Sequence, residues 1–208
     1  MVKLLKGLFA LLMVVVFLAV VGRIFVFQLG YTESYSMVPN LLAGDTFVVR
    51  TVGKLGLGDI AVCEDPEQAG SMVVLRVLGL PGQVVKFKHN HVIIDGEMVQ
   101  REIIDPLLYI DETSAEQLTY AVRIGSEYVG GQQFDVALMD RAGGQQQREF
   151  TVPEEHFYLV GDNRNLARDS RNFGPAPIES CIGEAVFLLW PGKDSGDFTF
   201  KSRVFSWL

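Results

Sequence analysis

Between Gly7 and Gly22 the chain carries no charged side chain and almost no polar one, and after Arg23 the apolar run resumes as Ile24-Phe25-Val26-Phe27 before Gln28 and Gly30. About 20 apolar residues in a helix cross the hydrocarbon of a bilayer. The uncharged part is slightly short of that length, and Arg23 completes it by snorkelling toward the headgroups. Residues 1–30 therefore read as a short stub and one transmembrane anchor. A cleaved signal peptide shares the basic start, Lys3 and Lys6, and the apolar run. This run is longer than an ordinary secretory core, and no small-x-small cleavage site precedes a folded start, so a retained anchor is expected. Lys3 and Lys6 are the only charges ahead of the span, which keeps the N-terminus cytoplasmic and sends the rest across.

The 208 residues carry a net charge of −7; the first thirty hold three basic and no acidic residues, which leaves −10 on residues 31–208. That stretch is long enough to bury a core of its own. An acidic exported domain excludes nucleic acid as a natural partner. Cys63 and Cys181 lie more than a hundred residues apart with no motif spacing. They read as buried thiols, although an oxidising compartment permits them to pair.

Beyond the anchor, short runs rich in valine, isoleucine and phenylalanine recur at 46–52, 59–64, 71–80, 84–88, 91–94, 120–124, 134–139, 157–160 and 182–189. Gly-Asp, Pro-Gly and Asp-Gly pairs separate them, the signature of antiparallel strands and hairpins. The expected fold class is mainly β, an antiparallel sheet ectodomain with no long amphipathic helix and no internal repeat. Residues 105–148 are more polar, with Gly130-Gly131-Gln132-Gln133 and Gly143-Gly144-Gln145-Gln146-Gln147, and read as an inserted β sub-domain with exposed hairpin loops. The expected division is an anchor over 1–30, a core domain over 31–104 and 153–208, and the insertion over 105–152. The aromatic C-terminus, Phe198-Thr199-Phe200 and Val204-Phe205-Ser206-Trp207-Leu208, is expected to pack on the sheet or touch lipid.

Just past the anchor comes Glu33-Ser34-Tyr35-Ser36-Met37-Val38-Pro39-Asn40-Leu41-Leu42-Ala43-Gly44-Asp45. Taken alone, a serine before Met-x-Pro is more often a turn residue than a nucleophile. Its place, at a membrane exit and the start of a β domain, is where a protease acting at the bilayer surface puts its nucleophile. Ser34-x-Ser36-Met37-x-Pro39 followed by Leu41 and Gly44-Asp45 resembles the nucleophile box of the type I signal peptidase family, with Arg23 and Phe25 where that family has them. Gly58-Asp59-Ile60-Ala61-Val62 resembles the second box, and Arg76-Val77-Leu78-Gly79-Leu80-Pro81-Gly82 the third. Gly161-Asp162-Asn163-Arg164 through Asp169-Ser170-Arg171, Phe173 and Gly174 resembles the fourth. The four boxes stand in the family's order and span nearly the whole chain.

The resemblance implies a signal-peptidase-like β-barrel or antiparallel-sheet ectodomain, and a serine endopeptidase site that removes leader peptides without metal or cofactor. In that family one serine attacks the scissile carbonyl and a neutral lysine, its pKa lowered by burial, takes the proton. A second serine hydroxyl and a backbone amide hold the oxyanion. By motif alignment Ser36 takes the nucleophile position and Ser34 that of the oxyanion donor. Arg76, Asp169 and Arg171 would form the charged scaffold, and Gly161, Asp162 and Asn163 the groove wall. Met37, Pro39, Leu41 and Val74 would meet substrate, with Leu41 and Val74 shaping pockets for small, alanine-like side chains. The implied partners are exported preprotein segments and membrane lipid, and the implied location is the inner membrane, with the main domain on the extracytoplasmic side.

The family's lysine belongs immediately before the arginine of the third box, and that position is Leu75. Arg76 and the Gly-Leu-Pro-Gly run lock the register, and no lysine lies between Lys54 and Lys86. The serine that supports the ammonium, two positions before Asp169, is Ala167. The two departures belong together, because a buried hydroxyl orphaned by loss of the amine costs about 1–3 kcal/mol. A serine without its base loses several orders of magnitude in rate. The expectation is a catalytically impaired homologue that binds signal-peptide-like or pilin-like segments. Two alternatives stay open. One is an active signal peptidase I whose base comes from elsewhere, with Lys54, Lys86 or Lys88 as candidates at solvent-facing positions. The other is a structural β domain with a vestigial groove, which the retention of Ser34 and Ser36 disfavours.

Other motifs have plainer readings. His89 and His91 share one face of a strand by spacing, but a solvated hairpin edge explains them without a metal. Gly79-Leu80-Pro81-Gly82 lacks the lysine and helix start of a phosphate loop and reads as a turn. Asp162 and Asp169, with Arg164, Arg168 and Arg171 nearby, read as structural ion pairs rather than paired acid catalysts.

Overall fold

The apolar N-terminal run forms helix α1 (Val2–Val26), and the chain passes from it into strand β1 (Phe27–Tyr31) without a linker. The helix stops there because β1 pairs antiparallel with β2 (Thr46–Arg50), Phe27 opposite Arg50 and Tyr31 opposite Thr46. Thr51, just beyond β2, closes the helix end: its amide donates to the Val26 carbonyl at 2.9 Å and its hydroxyl to that of Phe25 at 2.9 Å. Two carbonyls that a helix C-terminus leaves unpaired are thereby satisfied. No residue of the stretch Leu5–Gly22 of α1 is buried, and α1 is long and apolar enough to cross a membrane. This computed structural model describes residues 2–88, 90–112, 118–139, 149–192 and 205–208, with side chains described outside 2–4, 23–24 and 105–121.

The rest is mainly antiparallel β, and each apolar run read from the sequence supplies a strand. In chain order these are β3 (Ile60–Glu64), β4 (Met72–Gly79), β5 (Val84–Lys88), β6 (His91–Ile94), β7 (Glu97–Met98), β8 (Gln100–Glu112), β9 (Leu118–Val129), β10 (Gln132–Leu138), β11 (Glu149–Thr151), β12 (His156–Val160), β13 (Ala176–Pro177), β14 (Cys181–Trp190) and β15 (Ser206–Trp207). A single helical turn, α2 (Ser170–Phe173), lies between β12 and β13. The main sheet runs β1-β2-β14-β3-β4-β12-β13, and β15 extends the β3 side of β14. A second sheet runs β11-β5-β6-β7, and a third, of the more polar region, runs β10-β9-β8.

Strands β4 and β12 lie between two cores. Leu75, Val77 and Leu159 face a cluster with Phe47, Val49, Ile60 and Leu188. Leu78, Tyr158 and Val160 face the other, with Val85, Phe87, Phe134 and Val136. Alternate residues of a strand point to opposite faces, so one strand serves both.

The third sheet docks on the first through its β9–β10 turn. Gly130 and Gly131 have φ of 61° and 84°, as a two-residue hairpin requires. A methyl group on Gly130 would overlap the Leu57 carbonyl, so the turn fits only because that residue is glycine. At the C-terminus β15 puts Trp207 edge-on to Phe187, with ring centres 5.2 Å apart, and Leu208 against the main core. The Phe198-Thr199-Phe200 and Gly143–Gln147 segments lie outside the described residues.

The reading of the cysteines as thiols is corrected. Cys63 on β3 stands opposite Cys181 on β14, and the two form a disulfide. Distance along the chain concealed the pairing, because β14 returns to lie beside β3 only after the intervening sheets are complete. The bridge closes a loop across a sequence separation of 118. Chain entropy alone gives such a cross-link about 4–5 kcal/mol. Replacing both cysteines by alanine is therefore expected to lower the urea unfolding midpoint markedly, while peptide mapping of the oxidised protein recovers the 63–181 linkage. An unchanged midpoint refutes the stabilising role.

Candidate active site

The segment from Thr32 to Asp45 leaves β1 and returns to β2 as a closed loop. The Thr32 amide donates to the Asp45 carbonyl at 3.1 Å, and the Gly44 amide to that of Thr32 at 2.7 Å. The buried Asp45 carboxylate accepts from the Leu42 amide at 2.7 Å and the Gly192 amide at 2.9 Å. Met37, Val38, Leu41 and Leu42 plug the loop into the interior. Ser36 sits at the rim of that plug, at the surface of the core rather than within it.

Three hydroxyls line up there. The Ser34 amide donates to Thr32 Oγ1 at 3.2 Å, and the Ser36 amide to Ser34 Oγ at 3.1 Å. Ser34 Oγ donates to Ser36 Oγ at 2.9 Å. Across from them runs an open groove of about 460 Å³. One wall is the Tyr31–Ser36 segment, the other is Ser71 to Leu75, and Arg168 lies between. Among the described residues, the hydrogen-bond partner of Ser36 Oγ is Ser34, not an amine. Leu75 is 1% exposed, stands opposite Ala61 and belongs to the main core. Lys86 pairs with Glu149 at 3.3 Å on the surface, and Lys54 and Lys88 are exposed.

Behind Ser36 lies the 161–164 loop. The Asn163 amide donates to the Ser36 carbonyl at 3.0 Å, and its side-chain amide to that of Tyr35 at 3.2 Å. Gly161 leaves no room for a side chain: a methyl there would overlap the Ala167 methyl and the Ser36 carbonyl. Ala167 is buried against this point, its amide bonded to the Asn163 carbonyl at 3.0 Å. Asp169 accepts from the Gly161 amide at 2.9 Å, pairs with Arg171 at 2.6 Å and caps α2.

Asp162 accepts from Arg76 Nε at 2.8 Å, Arg76 Nη2 at 2.7 Å and Asn40 Nδ2 at 2.7 Å, and both charged partners are buried. Arg76 also donates to the Gly58 carbonyl at 2.6 Å, and its guanidinium lies 3.8 Å from the centre of the Phe134 ring. The two aspartates thus hold arginines rather than sharing a proton. Arg164 turns instead to Glu127, and Arg168 to Asp65 and Glu67.

The four positions aligned with substrate contacts separate. Val74 lines the groove, whereas Met37 and Leu41 are in the main core and Pro39 is half-buried beyond them. His91 opens β6 across a turn from Lys88, so a shared strand face with His89 concerns a residue outside the described set. Among the described residues no His, Cys, Asp and Glu side chains cluster as a metal site. Thr32, Asn40, Asp65 and Glu127 carried no motif signal; each acts through a partner remote in sequence or through a turn.

Arg168 joins the groove to the β3–β4 hairpin. Its Nη1 donates to Asp65 at 2.7 Å and its Nη2 to the same carboxylate at 3.2 Å, with Glu67 as a further partner. These hydrogen bonds hold the Asp65 carboxyl below its ordinary 3.8, against the opposing effect of burial. A depressed carboxyl pKa adds stability above the ordinary value, and that stability is lost as pH falls through the depressed one. An NMR titration is expected to place the Asp65 midpoint below 3.8 in the native chain and closer to 3.8 after Arg168→Gln. Equal midpoints in the two proteins rule out the pairing.

The family model described as Signal peptidase, peptidase S26, matches residues 5–190. A probable signal peptidase I-1 of Synechocystis is 32% identical, over 91% of this chain and 86% of that protein. The signal peptidase I of Streptococcus pneumoniae is 28% identical over 90% of this chain and 94% of its own length. That of Pseudomonas aeruginosa is 26% identical over 91% and 75%. A crystal structure of a signal peptidase I from Enterococcus faecalis aligns at 24% identity over 64% of this chain and 97% of that one, with a TM-score of 0.38. With the family model covering all but the two ends of the sequence, the chain belongs to the signal peptidase family, peptidase S26.

Proposed function

We propose that this chain binds exported segments of the signal-peptide or pilin-like class in the groove beside Ser36, and cleaves them slowly or not at all. The observation that carries this reading is Leu75: a buried hydrocarbon stands beside the Ser36 groove where the family's proton acceptor belongs. A serine hydroxyl keeps its proton at neutral pH unless a base lies within hydrogen-bond reach. Ala167 supports the same reading, since no hydroxyl remains there to orient an amine. What persists is the binding half of the site: the open groove, the Ser34 and Ser36 hydroxyls, and the loop that fixes the Ser36 carbonyl.

The helix gives the groove its setting. Lys3 and Lys6, in the first turns of α1 and ahead of its uncharged span, keep the N-terminus in the cytoplasm and put the β domain on the extracytoplasmic face of the inner membrane. Peptide segments emerging from export are then the partners within reach, with lipid as the surrounding surface.

The test uses full-length protein in detergent. Wild type is expected to bind a fluorescent alanine-rich leader peptide while cutting it several orders of magnitude more slowly than an enzyme with its base intact. Leu75→Lys with Ala167→Ser is expected to gain cleavage, and Ser36→Ala in that background to remove it. Wild-type turnover at ordinary enzyme rates, abolished by Ser36→Ala, sinks this reading and selects an active peptidase with a base from elsewhere.

A further inference from the structure

Behind the groove, one carboxylate of the three-stranded sheet has a grip on the catalytic loop that no motif marks. Glu127 on β9 is 1% exposed. Its Oε1 accepts from Arg164 Nη1 at 2.8 Å and its Oε2 from Arg164 Nη2 at 2.5 Å, a bidentate pair with a guanidinium that is itself wholly buried. Arg101 on β8 donates to the same carboxylate through Nε at 2.8 Å, and its Nη2 also reaches the Asn90 carbonyl at 2.5 Å. Burial alone would raise the Glu127 carboxyl, but Arg164 and Arg101 together hold it below its ordinary range. The charge is therefore fixed on the carboxylate.

Arg164 is the last residue of the loop behind Ser36, and its backbone is held by the same sheet. Its amide donates to the Ala137 carbonyl at 3.0 Å, and the Ala137 amide donates to the Asp162 carbonyl at 2.9 Å. Between these two residues stands Asn163, whose amide holds the Ser36 carbonyl. We propose that Glu127 is a positioning residue of the Ser36 groove: by clamping the Arg164 guanidinium it fixes the 161–164 loop, and the loop sets the height and tilt of the Ser36 peptide. The proposal rests on the reading of this groove as a peptide site only for its effect on binding; its effect on the loop stands apart.

Glu127→Gln is the sharp test, because it keeps the shape but turns an amide NH₂ toward two guanidiniums. In full-length protein in detergent, this variant is expected to bind the alanine-rich peptide about tenfold or more weakly, on the scale by which ångström-level misplacement damages a site. Hydrogen exchange is expected to accelerate at the Asn163 and Ala137 amides while the Val49 amide, on β2, keeps its protection. Glu127→Asp, which restores the charge, is expected to recover part of both effects. Val92→Ala, a cavity in the second core away from the groove, supplies a control that lowers the melting temperature but leaves affinity unchanged. Glu127→Gln that loses no more affinity than Val92→Ala, or exchange that rises equally at Val49, overturns the proposal. If wild type binds no peptide at all, the function proposed above fails, and exchange at Asn163 alone decides the role of Glu127.

Discussion

The buried pair between Arg76 and Asp162 holds the site region in one arrangement. Two charges taken out of water cost more than their mutual attraction returns unless every remaining donor and acceptor finds a partner. That demand is met here from several directions. Asn40 comes from the turn after Ser36, the Gly58 carbonyl from the loop before β3, and the Phe134 ring from β10. The pair thereby ties the groove wall, the loop behind Ser36 and the three-stranded sheet to one another. Moving any of these pieces leaves a bare charge in the interior, so they move together or not at all.

The Arg76–Asp162 scaffold adjoins a position where packing and polarity conflict. Leu75 is a full member of the main core, and burying a leucine side chain contributes about 1.5–3 kcal/mol. A lysine in the same place must be held neutral and hydrogen-bonded, at a cost to stability. Leucine at 75 and alanine at 167 therefore favour the fold.

Much of the fold was legible because strand periodicity is local. Valine- and isoleucine-rich runs bounded by glycine and proline announced the strands. The fourth box supplies Asp169 with its arginine, Arg171, whereas Asp162 takes Arg76 of the third box. What escaped were contacts that depend on how distant strands come together. The Cys63–Cys181 bond follows from β14 returning beside β3, and Glu127 meets Arg164 only once β9 folds over the loop. A motif does not say which of its residues face inward, and the structure puts Met37 and Leu41 in the core.

The junction between α1 and β1 has a mechanical implication. With no spacer between Val26 and Phe27, and with Thr51 bonded to the last carbonyls of the helix, the β domain cannot swivel on its stalk. The helix and strand together act as a gauge: they hold Ser36 at a set elevation above the point where α1 ends.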